Sequence, residues 1–236
     1  MKTLTVFFLV VILTMQVKAQ QFNEKLQGYS DKLTEEFAEI PKDRKKSLNS
    51  IADFVFETWT KSEKVQPLFV CTHNSRRSHL SHIWFQTAMY YYGIANTEAF
   101  SGGTEATAFN MRAVKALERA GFEYKVSDEE KNPVYAFVIG PRFPVVEMYS
   151  KKYDASGNPT EGFFAVMVCS DADKSCPVVH GANKRFSLPF KDPRYSDNTA
   201  SEEKAYDFTC KKIAREMFYL ASEVKNQIVE YQESKK

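Results

Sequence analysis

The sequence predicts an α/β domain: a mainly parallel sheet flanked by helices, with a helical extension at its N-terminal side. Three observations predict it. Short apolar runs of strand length, at 67–71, 98–101, 134–139 and 163–169, alternate with longer stretches of helical periodicity. Two of the helical stretches stop at Gly93 and Gly121, the residue type that most often closes a helix. Toward the C-terminus Ile213, Met217, Leu220, Val224 and Ile228 fall on one stripe, which marks a long amphipathic helix over about 201–231.

In chain order, Phe22, Leu26, Leu33, Phe37 and Ile40 recur at near-helical spacing, with a weak point at Gly28-Tyr29-Ser30. Pro41 suits the first turn of a second helix carrying Leu48, Ile51, Ala52, Val55 and Phe56. These two helices form the extension, residues 20–62, whose expected role is core packing. The strand at 67–71 leads through a polar loop, 72–76, into a helix over 78–92. Gly102-Gly103 stops the strand at 98–101, and Asn110 opens a helix that ends at Gly121. Pro141 and Pro144 break the strand at 134–139, and residues 125–162 hold extra strand and turn material with no assigned place. The main domain is expected over 63–236, with an insertion at about 125–162.

Composition narrows the function. Of 236 residues 43% are hydrophobic, and 19 Phe and 12 Tyr supply bulk for a core. Only 9 Gly and 9 Pro exclude a collagen-like or mostly disordered chain. Lys and Arg number 32 against 30 Asp and Glu, so there is no broad basic field and nucleic acid is excluded as the main partner. Four cysteines are too few for a disulfide-built scaffold.

Lys2, an apolar run from Leu4 to Met15, and Val17-Lys18-Ala19 before Gln20 form the pattern of a signal peptide over residues 1–19. The run is too short for a stable membrane span. The other reading is an apolar first element of the fold. A cleaved leader places the protein in the periplasm or outside the cell, with no stable membrane span remaining, where disulfides persist.

The segment that carries chemistry is Cys71-Thr72-His73-Asn74-Ser75-Arg76-Arg77-Ser78. A cysteine closes a strand, and a short loop enters a helix N-terminus, where backbone N–H groups lack helical partners and the dipole adds positive potential. Such a loop holds a tetrahedral oxyanion and lowers the pKa of a thiol at its mouth. Arg77 brings a planar fork that grips two oxygens, Ser78 can donate to the sulfur, and the Asn74 amide can pin the loop. The bland alternative is an inert strand-end thiol with Arg77 in a surface pair.

Cys71 to Ser78 resembles the phosphate-binding loop of low-molecular-weight protein tyrosine phosphatases and of their relatives, the thioredoxin-coupled arsenate reductases. Ser101-Gly102-Gly103-Thr104-Glu105-Ala106 with Asn110-Met111-Arg112-Ala113-Val114 resembles their second strand and helix, and Asp192-Pro193 their late Asp-Pro. The resemblance covers about 66–122 and 163–225 and implies a low-molecular-weight phosphatase-like fold. His73 stands where these relatives usually have Gly, and Arg76 where they often have a second Cys. Arg76 adds charge near the mouth or pairs with a surface carboxylate; His73 contacts the substrate or is a partly exposed loop residue.

The resemblance implies catalytic roles for Cys71, Arg77, Ser78 and Asp192, an oxyanion loop of Thr72, His73, Asn74, Ser75 and Arg76, and neither metal nor cofactor. Its substrate would be phosphotyrosine or another phosphate monoester, with Tyr195 an aromatic wall or a packing residue. Cys169 and Cys176 resemble the two further thiols of the arsenate reductases, which would add arsenate and a thioredoxin-like reductant as partners. A stable Cys169–Cys176 disulfide is the other reading, and export favours it. A third class of function, oxyanion binding or redox sensing without turnover, would use the same loop. Cys210 reads as a buried core thiol.

Overall fold

The structure is a computed structural model that describes residues 22–175 and 178–236. The expected signal peptide and Cys176 lie outside the described residues. Two helices come first, α1 (Glu24–Glu35) and α2 (Lys42–Thr60). The Asn23 side chain caps α1 by accepting from the Leu26 N–H at 2.9 Å. The same side chain donates to the Gly121 carbonyl at 2.8 Å, which ties α1 to the helix ending there. Pro41 is the residue just before α2 rather than part of its first turn.

The central sheet is parallel, in the order β2-β1-β6-β7, with β1 at Pro67–Cys71, β2 at Phe100–Gly103, β6 at Phe163–Met167 and β7 at Ala182–Ser187. Every residue of β1 and β6 is buried, the mark of a strand covered on both faces. Between β1 and β2 runs α3 (Arg77–Tyr91), which packs on both strands and on α6 (Glu202–Glu233). The α6 stripe read from the sequence, Ile213 to Ile228, is buried throughout, and each such side chain contributes about 2 kcal/mol of burial. On α2, Phe54 meets Phe164 and Phe186 edge-on at 5.3 and 5.7 Å, fastening the extension to β6 and β7.

After α4 (Met111–Ala120) come β3 (Glu123–Val126), β4 (Tyr135–Val138) and β5 (Val146–Met148), which form a separate antiparallel sheet. A short α5 (Ser170–Ser175) follows β6, and a 3-10 turn at Pro193–Ser196 precedes α6. Among the described residues no helix is long and apolar enough to cross a membrane.

One boundary expectation is corrected. Gly102 and Gly103 do not stop the second strand; they are its last two residues, paired with Val70 and Cys71. Close packing explains the residue type. A Cβ on Gly103 would lie 2.2 Å from the Glu105 carbonyl and 2.6 Å from the Asn74 nitrogen, and one on Gly102 2.4 Å from the Tyr153 Cα. The backbones of β2, the cysteine loop and residues 151–153 therefore touch with no room for a side chain.

The topology places a site. From β1 the chain moves first to β2 on one side, then to β6 and β7 on the other. The loops leaving β1 and β6 diverge, and the crevice at the carboxyl end of β1 is where ligands bind in such sheets. Cys71 is the last residue of β1.

Candidate functional site

The turn from β1 into α3 leaves the backbone N–H groups of residues 73–79 without a hydrogen-bond acceptor among the described residues. Neighbours hold the loop through its carbonyls instead. The Cys71 carbonyl accepts from the Thr104 N–H, Thr72 from the Glu105 N–H, and Ser75 from the Asn110 N–H. The His73 carbonyl accepts from the Ser150 and Thr107 hydroxyls at 3.0 and 3.2 Å. Carbonyls turned outward and amides left free make an anion-binding concavity.

A hydrogen-bond chain points at the thiol. The Lys151 N–H donates to Asn74 Oδ1 at 2.8 Å, and Asn74 Nδ2 donates to Ser78 Oγ at 2.9 Å. Ser78 Oγ in turn lies 3.1 Å from Cys71 Sγ, and its hydroxyl can donate to the thiolate. Asn74 is fully buried at φ +43°, a left-handed conformation that Asn tolerates better than most residues. The amide therefore shapes the loop by its backbone and its side chain together.

Arg77 and Asp192 meet at the same place. Arg77 Nη2 donates to Asp192 Oδ2 at 2.7 Å, and Nη1 donates to the Phe190 carbonyl at 3.1 Å. Both side chains are about nine-tenths buried. The second Asp192 oxygen accepts from the Arg194 N–H and caps the 3-10 turn. Two residues 115 apart in sequence are thus brought together as a buried ion pair next to the cysteine loop.

The remaining loop residues separate. Arg76 turns away to α6: its Nε donates to the Tyr206 hydroxyl at 2.8 Å, and its Nη2 lies 3.5 Å from Asp197. Of the two roles expected for Arg76, the structure shows the carboxylate pair. The partly exposed His73 ring lies 3.5 Å from Glu105. Tyr195 is 73% exposed beside the Asp192 turn, so it is not a packing residue. Thr72 Oγ1 lies 3.4 Å from Cys169 Sγ, which links the nucleophile loop to the end of β6. Cys169 is fully buried and a free thiol, and Cys176, its partner in either expected role, lies outside the described residues. The Cys169 sulfur accepts from the Ala172 N–H at 3.3 Å. Cys210 is the core thiol expected, taking the Trp84 indole N–H at 3.2 Å, and burial pushes its pKa up to about 12.

Ser150 and Lys151 are the contributors that sequence reasoning missed. They sit 77 residues from the loop they hold, in a segment with no motif, and only their backbone and hydroxyl contacts reveal them.

Behind the loop, α3 carries two buried histidines. His82 is held down to about pKa 3 by burial and by the nearby Lys151 charge. His79 stacks on Phe109 at 4.0 Å and is held well below its ordinary value of 6.5, again by burial first. Both folded values lie below the unfolded one, so the unfolded chain binds more protons in acid. The stability is fully present above about pH 6.5 and is lost as pH falls toward about 3. Urea midpoints between those limits are expected to drop steeply, with His82 adding about 1.4 kcal/mol per pH unit and His79 acting in the same direction. His82→Gln should flatten the profile; an unchanged slope would show that His82 does not titrate across folding.

Two curated proteins are similar in sequence. The chain is 26% identical over 125 residues to an arsenate reductase of Staphylococcus epidermidis, covering 53% of this chain and 76% of the relative. It is 28% identical over 138 residues to an arsenate reductase of Bacillus licheniformis, covering 58% and 81%. Both relatives are arsenate reductases, the second of the two kinds of protein that the cysteine loop resembles. No family model matches it. Among solved structures, a low-molecular-weight protein tyrosine phosphatase from T. tengcongensis is similar at a TM-score of 0.46 and 18% identity, covering 67% of this chain and 99% of that one. An arginine phosphatase from Geobacillus stearothermophilus is similar at 0.46 and 16%, covering 70% and 96%. These similarities support cysteine-based chemistry of one of two kinds, phosphatase or arsenate reductase.

Proposed function

We propose that the protein hydrolyses phosphate monoesters, phosphotyrosine among them, through a phosphocysteine intermediate on Cys71. The observation that carries this reading is the loop of free amides at residues 73–79, which follows the Cys71 thiol and runs into the helix whose first residue, Arg77, pairs with Asp192. A phosphate entering the loop takes over the Arg77 fork and sets the Asp192 carboxyl free. Cys71 thiolate attacks phosphorus in line, and the phosphorus–oxygen bond to the leaving group breaks. Asp192 gives that oxygen its proton, then takes one from the water that splits the sulfur–phosphorus bond, which returns the thiolate and releases phosphate. Arg77 and the amides stabilise the charge on the equatorial oxygens. Ser78 steadies the thiolate when it leaves.

One observation favours a second reading, arsenate reduction: the Cys169 thiol stands at 3.4 Å from Thr72, next to the nucleophile. In that relay Cys71 binds arsenic with loss of hydroxide. Cys169 thiolate then attacks the Cys71 sulfur, and the electron pair of the sulfur–arsenic bond leaves on arsenite. Cys176 takes over the resulting disulfide, and a thioredoxin-like dithiol reduces it.

Cys169→Ser separates the two. The full chain is given p-nitrophenyl phosphate, and separately arsenate with a thioredoxin system. Ester hydrolysis is expected within about threefold of the unaltered protein, since Cys169 takes no part in it. Arsenite release that depends on Cys169, without ester hydrolysis, would overturn the first reading for the second. Phosphate and arsenate binding with no turnover of either would leave a binding protein.

A further inference from the structure

A second cavity, of about 510 Å³, opens between α3, the start of β2 and the segment around β5. None of Cys71, Arg77 or Asp192 lines it. His82 and Tyr90 from α3, Phe100 from β2, and Val146 and Lys151 from the inserted segment do. The wall sets an apolar patch beside charged and polar groups, Lys64, Gln86, Glu98 and Glu147 among them.

Two of the polar groups, His82 and Lys151, are buried, one without a hydrogen-bond partner and one without a counter-ion. His82 is 6% exposed and its Nδ1 has no hydrogen-bond partner. Lys151 is 9% exposed, and its Nζ lies over the Tyr149 ring at 4.5 Å. Among the described residues no carboxylate pairs with it. The nearest acids at the cavity do not answer that charge: Glu98 is held by Lys64, and Glu147 is exposed. Burial lowers the Lys151 pKa, the cost of an ammonium without a counter-ion.

We propose that this cavity is a second ligand site that takes a small aromatic or aliphatic carboxylate. One carboxylate oxygen meets Lys151 Nζ, the other accepts from the His82 imidazole, and the apolar body lies against Tyr90, Phe100 and Val146. Two donors match the two oxygens of a carboxylate. A phosphate dianion would want more donors than these, and the two rim acids oppose a second negative charge.

The experiment is an NMR titration of the full isotopically labelled chain with benzoate, with and without saturating inorganic phosphate on the cysteine loop. Saturable one-to-one binding is expected below about 10 mM, unchanged by phosphate and absent for benzylamine, which has the same ring and the opposite charge. Lys151→Met keeps the backbone bonds to Asn74 and Gly103 and should weaken benzoate about tenfold or more. Val145→Trp, at a rim position 53% exposed, narrows the mouth without touching the core and should weaken it too, which covers the case of an unfolded Lys151 variant. No saturation, competition by phosphate, equal binding of benzylamine, or full affinity in Val145→Trp would each overturn the proposal. A second site for inorganic phosphate that Lys151→Met removes would overturn the carboxylate assignment.

Discussion

Cys71→Ser is expected to lower the rate of p-nitrophenyl phosphate hydrolysis by about 10⁴-fold or more, the scale on which removal of a nucleophile acts. The reasoning starts from the position. Cys71 is 3% exposed at the end of β1, in the crevice where the strand order reverses, with Ser78 Oγ 3.1 Å from its sulfur. Serine fits the same space with a slightly smaller atom, so the loop and its free amides should survive. Its hydroxyl is ionised far less readily than a thiol, and the Lys151–Asn74–Ser78 chain holds no base that would remove its proton. The variant should therefore still bind phosphate, read as a rise in unfolding temperature with added phosphate, while turnover disappears. Hydrolysis within about tenfold of the unaltered protein would show that Cys71 is not the nucleophile. Loss of both turnover and phosphate binding calls for Cys71→Ala, whose binding then tells a collapsed loop from a misassigned site.

The cysteine loop was legible because its chemistry is local. Cys71, the loop, and the helix that begins at Arg77 are consecutive, so a strand signal beside a helix signal is enough to place unsatisfied amides between them. The α6 stripe was legible for the same reason: one period repeated over many turns. What stayed hidden depends on long-range packing. β7 (Ala182–Ser187) has a mixed burial pattern at the sheet edge and no apolar run to announce it. Gly102 and Gly103 read as a stop because glycine usually is one. Only the approach of the Asn74 and Tyr153 backbones shows why a strand needs them. Asp192 lies between these cases. Its Asp-Pro dipeptide reads as a turn, and it does cap one. Its partnership with Arg77 spans 115 residues and follows from the superfamily pattern, not from local spacing.

That partnership yields the other large effect. Asp192→Ala should lower kcat by about 10²- to 10³-fold, the range for loss of a general acid. It should also make inorganic phosphate bind more tightly, which loss of an acid alone does not explain. In the structure Arg77 is already occupied: Nη2 gives its hydrogen bond to Asp192 and Nη1 to the Phe190 carbonyl. A phosphate can use the fork only by displacing the carboxylate, and it must do so while bringing more negative charge toward that carboxylate. Removing Asp192 abolishes both the competition and the repulsion. It also leaves a nine-tenths buried guanidinium without its counter-ion, which should destabilise the unliganded protein by about 3 kcal/mol. Phosphate should restore much of that stability, because it binds only the folded form. Asp192→Asn separates charge from shape, since its amide oxygen can still accept from Arg77. It should lose activity as Asp192→Ala does but gain less in phosphate affinity. If phosphate inhibition is unchanged or weaker in Asp192→Ala, the carboxylate does not compete with the substrate for Arg77. The pair would then hold the arginine in place during binding, and the acid that protonates the leaving group would have to be another residue.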